Sequence, residues 1–159
     1  MTRLFDINQI FSFQIHVRLP NKSVSEGQLL FFNEHYSIAL LEITADFPLQ
    51  PPSFGSSLNY GQEVFVLARD KESFLSARHG TIVWQDEPDL LSGNYRMFLS
   101  CQGGGNGASV IDHDGNVIGM SFSGRPTKFV SISTILTCIE MWMKFRSVNP
   151  FWSFTDAIT

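Results

Sequence analysis

Charge is scarce in this sequence, and none of it forms a basic excess. Only 16% of the 159 residues are charged, and 15 acidic against 11 basic side chains leave a formal net charge of −4. With no Lys/Arg stripe to neutralise phosphates, a nucleic-acid partner is not expected. Cysteine is limited to Cys101 and Cys138, too few for a disulfide scaffold. No run of about 18 apolar residues occurs, so a membrane-spanning helix, and with it a membrane partner, is not expected. The first ten residues, Met1 to Ile10, carry one early Arg followed by Asp and no apolar leader, and the default expectation is an intracellular chain. Metal ligands are equally sparse. None of the four histidines, His16, His35, His79 and His113, has a partner at i+3 or i+4, and no Cys pair has ligand spacing. Neither a metal nor a cofactor is expected. What the chain does have is 43% apolar residues with 12 Gly and 7 Pro, the composition of a folded domain, and an unusual 15 Phe.

Short strands dominate the pattern. Phe11 to Leu19 alternates apolar and polar residues, which predicts a strand with one buried face. Gln28 to Phe32 and Ile38 to Ile43 read as two more strands around a polar elbow, Asn33-Glu-His-Tyr-Ser37. Phe47 to Gly55 holds three prolines and reads as a linker, because proline removes a ladder donor and fixes φ. Further strands are expected at Glu63–Ala68, Ala77–Trp84, Arg96–Ser100, Ser109–Asp112 and Asn116–Phe122, with an Asp-Gly hairpin signal at Asp114-Gly115. Turn spacings of roughly 8–12 residues favour an antiparallel sandwich or barrel over βαβ units. One helix is expected, from Ile132, Ile135, Leu136, Ile139, Trp142 and Met143, capped by Ser131 or Ser133 and ending near Phe145.

Three segments invite a chemical reading. Gly103-Gly-Gly-Asn-Gly-Ala108 formally matches G-x-G-x-x-A, but a hairpin follows it where a nucleotide site needs a helix N-terminus. Cys101 stands beside this cluster with no His or Asn/Asp constellation to recommend it, so it reads as a half-buried structural thiol. His113, in Asp112-His-Asp-Gly115, reads as solvated turn chemistry rather than a catalytic base.

Two segments taken together give a more specific reading. Ser37-Ile-Ala-Leu-Leu-Glu-Ile43 is similar to D-x-A-L-L-x-I, and Gly104-Gly-Asn-Gly-Ala-Ser-Val110 to G-N-S-G-G-P-L. The second is followed by Asp114-Gly115 and Val117-Ile-Gly-Met120, similar to a D-G hairpin and V-I-G-I. Between them, Tyr60 to Ala68 is similar to G-x-x-V-x-A-x-G and Ala77 to Val83 to S-x-G-I-V. In this order, over about residues 16 to 145, they resemble the trypsin-like serine proteases of the HtrA/Do-like branch. The resemblance implies an all-β fold of trypsin-like antiparallel barrels, with an incomplete N-terminal barrel and a C-terminal barrel followed by one helix. The implied layout is a partial half-barrel over 1–46, a Pro-rich linker over 47–59, a barrel over 60–130, a helix over 131–146 and an aromatic tail over 147–159.

The departures from the family pattern bear on function. Ser37 stands where the family has the Asp that orients its catalytic histidine, and a hydroxyl carries no charge to stabilise an imidazolium. Asn106 stands at the position of the nucleophilic Ser, and a carboxamide is not a nucleophile in this chemistry. The catalytic His belongs to the first strands, yet Met1 to Gln14 holds none. Ser109 falls where the family has Pro. The family's oxyanion-hole donors map to the backbone of Gly104 and Asn106, which implies either a nest able to hold a carbonyl or carboxylate, or simply a flexible loop. The expectation is an inactive protease homologue that binds a protein or peptide, with a partner or a second copy covering the incomplete barrel. The alternatives are a serine endopeptidase with a rearranged triad and a non-functional fragment of a longer protease.

Overall fold

The computed structural model describes residues 14–70, 74–84, 96–101 and 105–146. The chain divides between Leu49 and Gln50 into two compact units.

Alternation builds the first unit. Strands β1 (Ile15–Arg18), β2 (Val24–Asn33) and β3 (Ile38–Ile43) form an antiparallel three-stranded sheet in the order β1-β2-β3. The β1–β2 turn is pinned by Leu19 N–H to Ser23 O at 2.8 Å and passes through Lys22 at φ 70°. Ile15 pairs with Gly27 and Leu29 with Leu41, and a bulge between Leu29 and Phe31 shifts the register so that Phe31 faces Leu40. The bulge inserts one extra residue on β2, so that three residues there, Leu29 to Phe31, span two on β3. Ile15, Val17, Leu29, Phe31, Leu41 and Ile43 remain only partly buried.

The second unit is a closed antiparallel barrel, in the order β4-β5-β6-β9-β8-β7. Its strands are β4 (Glu63–Arg69), β5 (Leu75–Val83), β6 (Arg96–Leu99), β7 (Ala108–Ile111), β8 (Val117–Phe122) and β9 (Thr127–Ser131). Closure removes every sheet edge. The core is Val64, Val66, Ile82, Leu99, Ala108, Val110, Ile118 and Phe129. Burying each such aliphatic or aromatic side chain contributes about 1.5–3 kcal/mol. Phe129 is the one phenylalanine among the described residues that is fully buried, while Phe32, Phe54 and Phe74 are exposed. The phenylalanine excess therefore does not build the core, which is mainly aliphatic. Three of the partly buried rings carry cations, with Arg96 over Phe122 at 5.0 Å, Lys128 over Phe98 at 5.9 Å and Lys144 over Phe145 at 5.8 Å.

Helix α1 (Ile132–Phe145) follows β9 directly and packs on β8 and β9. Of the two serines considered as caps, Ser131 is the one used, and its hydroxyl accepts from Thr134 N–H at 3.2 Å. The expected all-β architecture with one C-terminal helix is thus present. Strand β9 is an addition that the sequence pattern did not announce. Thr127, Phe129, Val130 and Ser131 are all buried, because the barrel interior lies on one side and α1 on the other. Two-sided burial erases the period-2 signal. The Pro-rich linker stays out of the sheets except for one parallel bridge, Phe54 to Val117, closed by Gly55 N–H to Val117 O at 3.0 Å. The segments 1–13 and 147–159, with Phe11, Phe13 and the aromatic tail, lie outside the described residues.

Candidate functional site

The glycine loop enters β7 through three exposed residues, Gly105, Asn106 and Gly107. Gly105 and Gly107 sit at φ 75° and 78°, a region that side chains make costly. Each of the three is tied to the end of β8. The Ser121 hydroxyl, on a fully buried residue, donates to Gly105 O at 3.2 Å, and Gly107 N–H donates to Ser121 O at 2.8 Å. Asn106 Oδ1 accepts twice from Ser123, from the backbone N–H at 2.8 Å and from the hydroxyl at 2.9 Å. The carboxamide oxygen is thereby committed to a loop-closing role. Gly104, the other residue assigned to an oxyanion-hole-like pair, lies outside the described residues, as does Gly103.

Ser109 continues from this loop into β7, where it pairs with Met120 on one side and Leu67 on the other. Behind the loop, β8 and β9 approach closely. A Cβ on Gly119 would lie 2.5 Å from Val130 O and 2.6 Å from the Phe129 ring, so V-I-G-M requires its glycine for packing.

Ser37 belongs to the other unit, at the end of the β2–β3 turn. Its backbone is left-handed at φ 56°, and its N–H donates to Glu34 O at 3.2 Å, with the hydroxyl oriented to the same carbonyl at 3.5 Å. Asn33 anchors the turn from below. It is 1% exposed, its Oδ1 accepts from Tyr36 N–H at 3.0 Å, and its amide nitrogen is buried with no hydrogen-bond partner among the described residues. His35 packs edge-on against Tyr36 at 4.7 Å.

The remaining histidines fall into place on strands and turns. His16 pairs with Glu26 across β1 and β2. His79 and His113 flank β4 from opposite neighbours and converge on Glu63, whose Oε2 lies 3.0 Å from His113 Nε2 and whose Oε1 lies 3.6 Å from His79 Nε2. Both rings also pack on Phe65 at 5.3 Å. All three polar groups are more than half exposed, so this ion-pair set adds little to stability. Residues so far apart in sequence carry no local signal of meeting. No group of three or more His, Cys, Asp or Glu among the described residues is arranged to hold a metal ion.

Two electrostatic features stand out. The Asp112 carboxylate accepts from Asn116 Nδ2 at 3.0 Å, Asn116 N–H at 2.8 Å and Asp114 N–H at 3.0 Å. These bonds, led by the Asn116 side chain, hold its pKa below the usual carboxylate range against a smaller opposing effect of burial. Burial pushes the Cys101 thiol up, outweighing its own backbone N–H and the Arg78 charge. A Cβ on Gly80 would meet Cys101 Sγ at 2.8 Å, so this sulfur is packed against β5. An elevated thiol beside a strand is the opposite of what a cysteine nucleophile needs.

Comparison with known proteins places this geometry. No curated protein sequence matches the chain. Among solved structures, the apo MamO protease domain from Magnetospirillum magneticum superposes with a TM-score of 0.63 at 16% identity, covering 77% of this chain and 72% of that one. The HtrA-type protease AlgW with a decapeptide gives a TM-score of 0.69 at 17% identity, over 82% of this chain and 44% of that one. Deg5 gives 0.64 at 16% identity, over 81% and 68%. At these identities the likeness is one of fold, and this chain spans less than half of the AlgW chain. The family model described as "Trypsin-like peptidase domain" matches residues 4–120, most of the chain. This protein belongs to the trypsin-like peptidase domain family, with an HtrA/Deg-type fold.

Proposed function

We infer that this chain is a catalytically inactive trypsin-like domain that acts by binding protein or peptide. The observation that carries the reading is Asn106. It occupies the family's serine position in the sequence pattern, and its carboxamide oxygen is engaged by both donors of Ser123. A carboxamide held in this way has no proton to give to a base and no lone pair suited to attack a carbonyl carbon. Ser37 stands where the family has its Asp. Losing the nucleophile of such a triad alone removes about 10⁶-fold in rate in related chemistry.

Binding rests on different features. Gly105 and Gly107 hold the loop in a left-handed path on either side of Asn106, and with Gly107 N–H given to Ser121 O, the Asn106 N–H is the donor offered to a carbonyl or carboxylate. AlgW has been described with a tripeptide and with a decapeptide, which supports a peptide as the ligand class here. The half-exposed apolar face of the three-stranded sheet favours a covering protein, a second copy included.

Purified protein incubated with fluorogenic peptide substrates and a serine-directed phosphonate probe is expected to show neither turnover nor labelling. Turnover that disappears in Ser109→Ala or Ser37→Ala would instead establish a rearranged serine peptidase.

A further inference from the structure

We propose that Asn106 is a self-modification site, whose carboxamide cyclises onto the Gly107 nitrogen and opens to aspartate and isoaspartate. Asn106-Gly107 is the one Asn-Gly pair in the sequence. In such a pair the backbone nitrogen of the glycine closes a five-membered ring on the side-chain carbonyl carbon, and glycine brings no side chain to obstruct it. The surroundings leave room for that ring. All three loop residues are exposed, and nothing lies within 4 Å of where a Cβ would stand on Gly105 or Gly107.

The structure adds an activating feature to this general reactivity. Asn106 Oδ1 receives two hydrogen bonds, 2.8 Å from Ser123 N–H and 2.9 Å from the Ser123 hydroxyl. Two donors on an acyl oxygen stabilise the negative charge which that oxygen gains when a nucleophile adds to its carbon. The nucleophile is held back by one bond, Gly107 N–H to Ser121 O at 2.8 Å. That bond must open before the ring can close.

The step balances with water alone. Gly107 N loses its proton to solvent base and bonds to Asn106 Cγ, and the Cγ–NH₂ bond breaks to release ammonia. Water then opens the imide at the side-chain carbonyl to give aspartate, or at the main-chain carbonyl to give isoaspartate. The aspartate product keeps both Ser123 donors as charge-assisted bonds, stronger than those to the carboxamide, and places a negative charge at the loop.

The full-length protein is aged at mildly alkaline pH and the proteolytic peptide spanning residues 97–128 is followed by mass spectrometry. The expected result is a gain of one mass unit at Asn106, with a chromatographically separate isoaspartate form, growing faster than at mildly acidic pH. Asn106→Gln, whose ring would have six members, shows no such gain, and Gly107→Ala slows it about tenfold. Ser123→Ala, which removes one donor and leaves the reacting pair intact, slows conversion as well. Asn106 that stays unconverted in the folded protein overturns the proposal, and so does conversion in Ser123→Ala at or above the unmodified rate.

Discussion

Asn106 Oδ1 and the two donors of Ser123 join residues 17 apart in sequence and fasten the loop before β7 to the end of β8. Asn106 therefore works as a clamp. Replacing it tests both its chemistry and its structural role. Asn106→Ser is expected to leave peptide hydrolysis undetectable in a fluorogenic assay, because Ser37 carries no charge to orient and stabilise an imidazolium base. Asn106→Ala should lower stability by about 1–3 kcal/mol in urea unfolding, since it removes two intramolecular hydrogen bonds each worth about 0.5–1.5 kcal/mol net.

Gly119 is predicted to be intolerant of any side chain. A Cβ there meets the Val130 carbonyl at 2.5 Å and the buried Phe129 ring at 2.6 Å. Gly119→Ala is expected to destabilise by about 1–3 kcal/mol or more, as overpacking of a close-packed core does, read as a lower denaturation midpoint. Gly61→Ala makes the comparison, since no atom lies within 4 Å of its Cβ position, and it reports the cost of φ +79° alone.

Asp112 predicts an acid limb. Its folded pKa is depressed by hydrogen bonds from the Asn116 side chain and the backbone N–H groups of the hairpin. A depressed folded value contributes stability above the unfolded pKa, about 3.9 for Asp, and that stability is lost as pH falls through the folded value. Wild-type protein should therefore lose stability relative to Asp112→Asn as pH drops below about 4, the unfolded Asp value. Thermal unfolding of the two proteins across that range measures the difference.

Ser131→Ala removes the cap of α1. Ser131 is 9% exposed and its hydroxyl accepts from Thr134 N–H, with Ser133 and Thr134 hydroxyls at 2.8 and 3.0 Å. The expected loss is about 1 kcal/mol, typical of a serine N-cap, checked by denaturant unfolding. Ser131→Asp, which keeps an acceptor at the helix start, should recover most of it.

Much of the fold was written locally. Ile38–Ile43 matches its expected bounds, and the α1 stripe and its capping serine follow from helical spacing. The hairpin at Asp112 follows from Asp-Gly chemistry, with Gly115 at φ 81°. Strand β9 was not readable because it is covered on both sides. The order of the motifs is also a property of the sequence, and it points to the trypsin-like family without the fold.

Tertiary structure alone decided how the site residues are used. Nothing near Asn106 in the chain marks Ser123 as its partner, because β7 and β8 must first fold into a hairpin to bring Ser121 and Ser123 to the loop. The convergence of His79 and His113 on Glu63 has the same origin, since barrel closure puts β5 and β7 on either side of β4. Sequence determined the order of the motifs and put Asn106 in the glycine loop before β7. The barrel determined what that side chain does, because hydrogen bonds across strands depend on register and closure, and no local pattern encodes either.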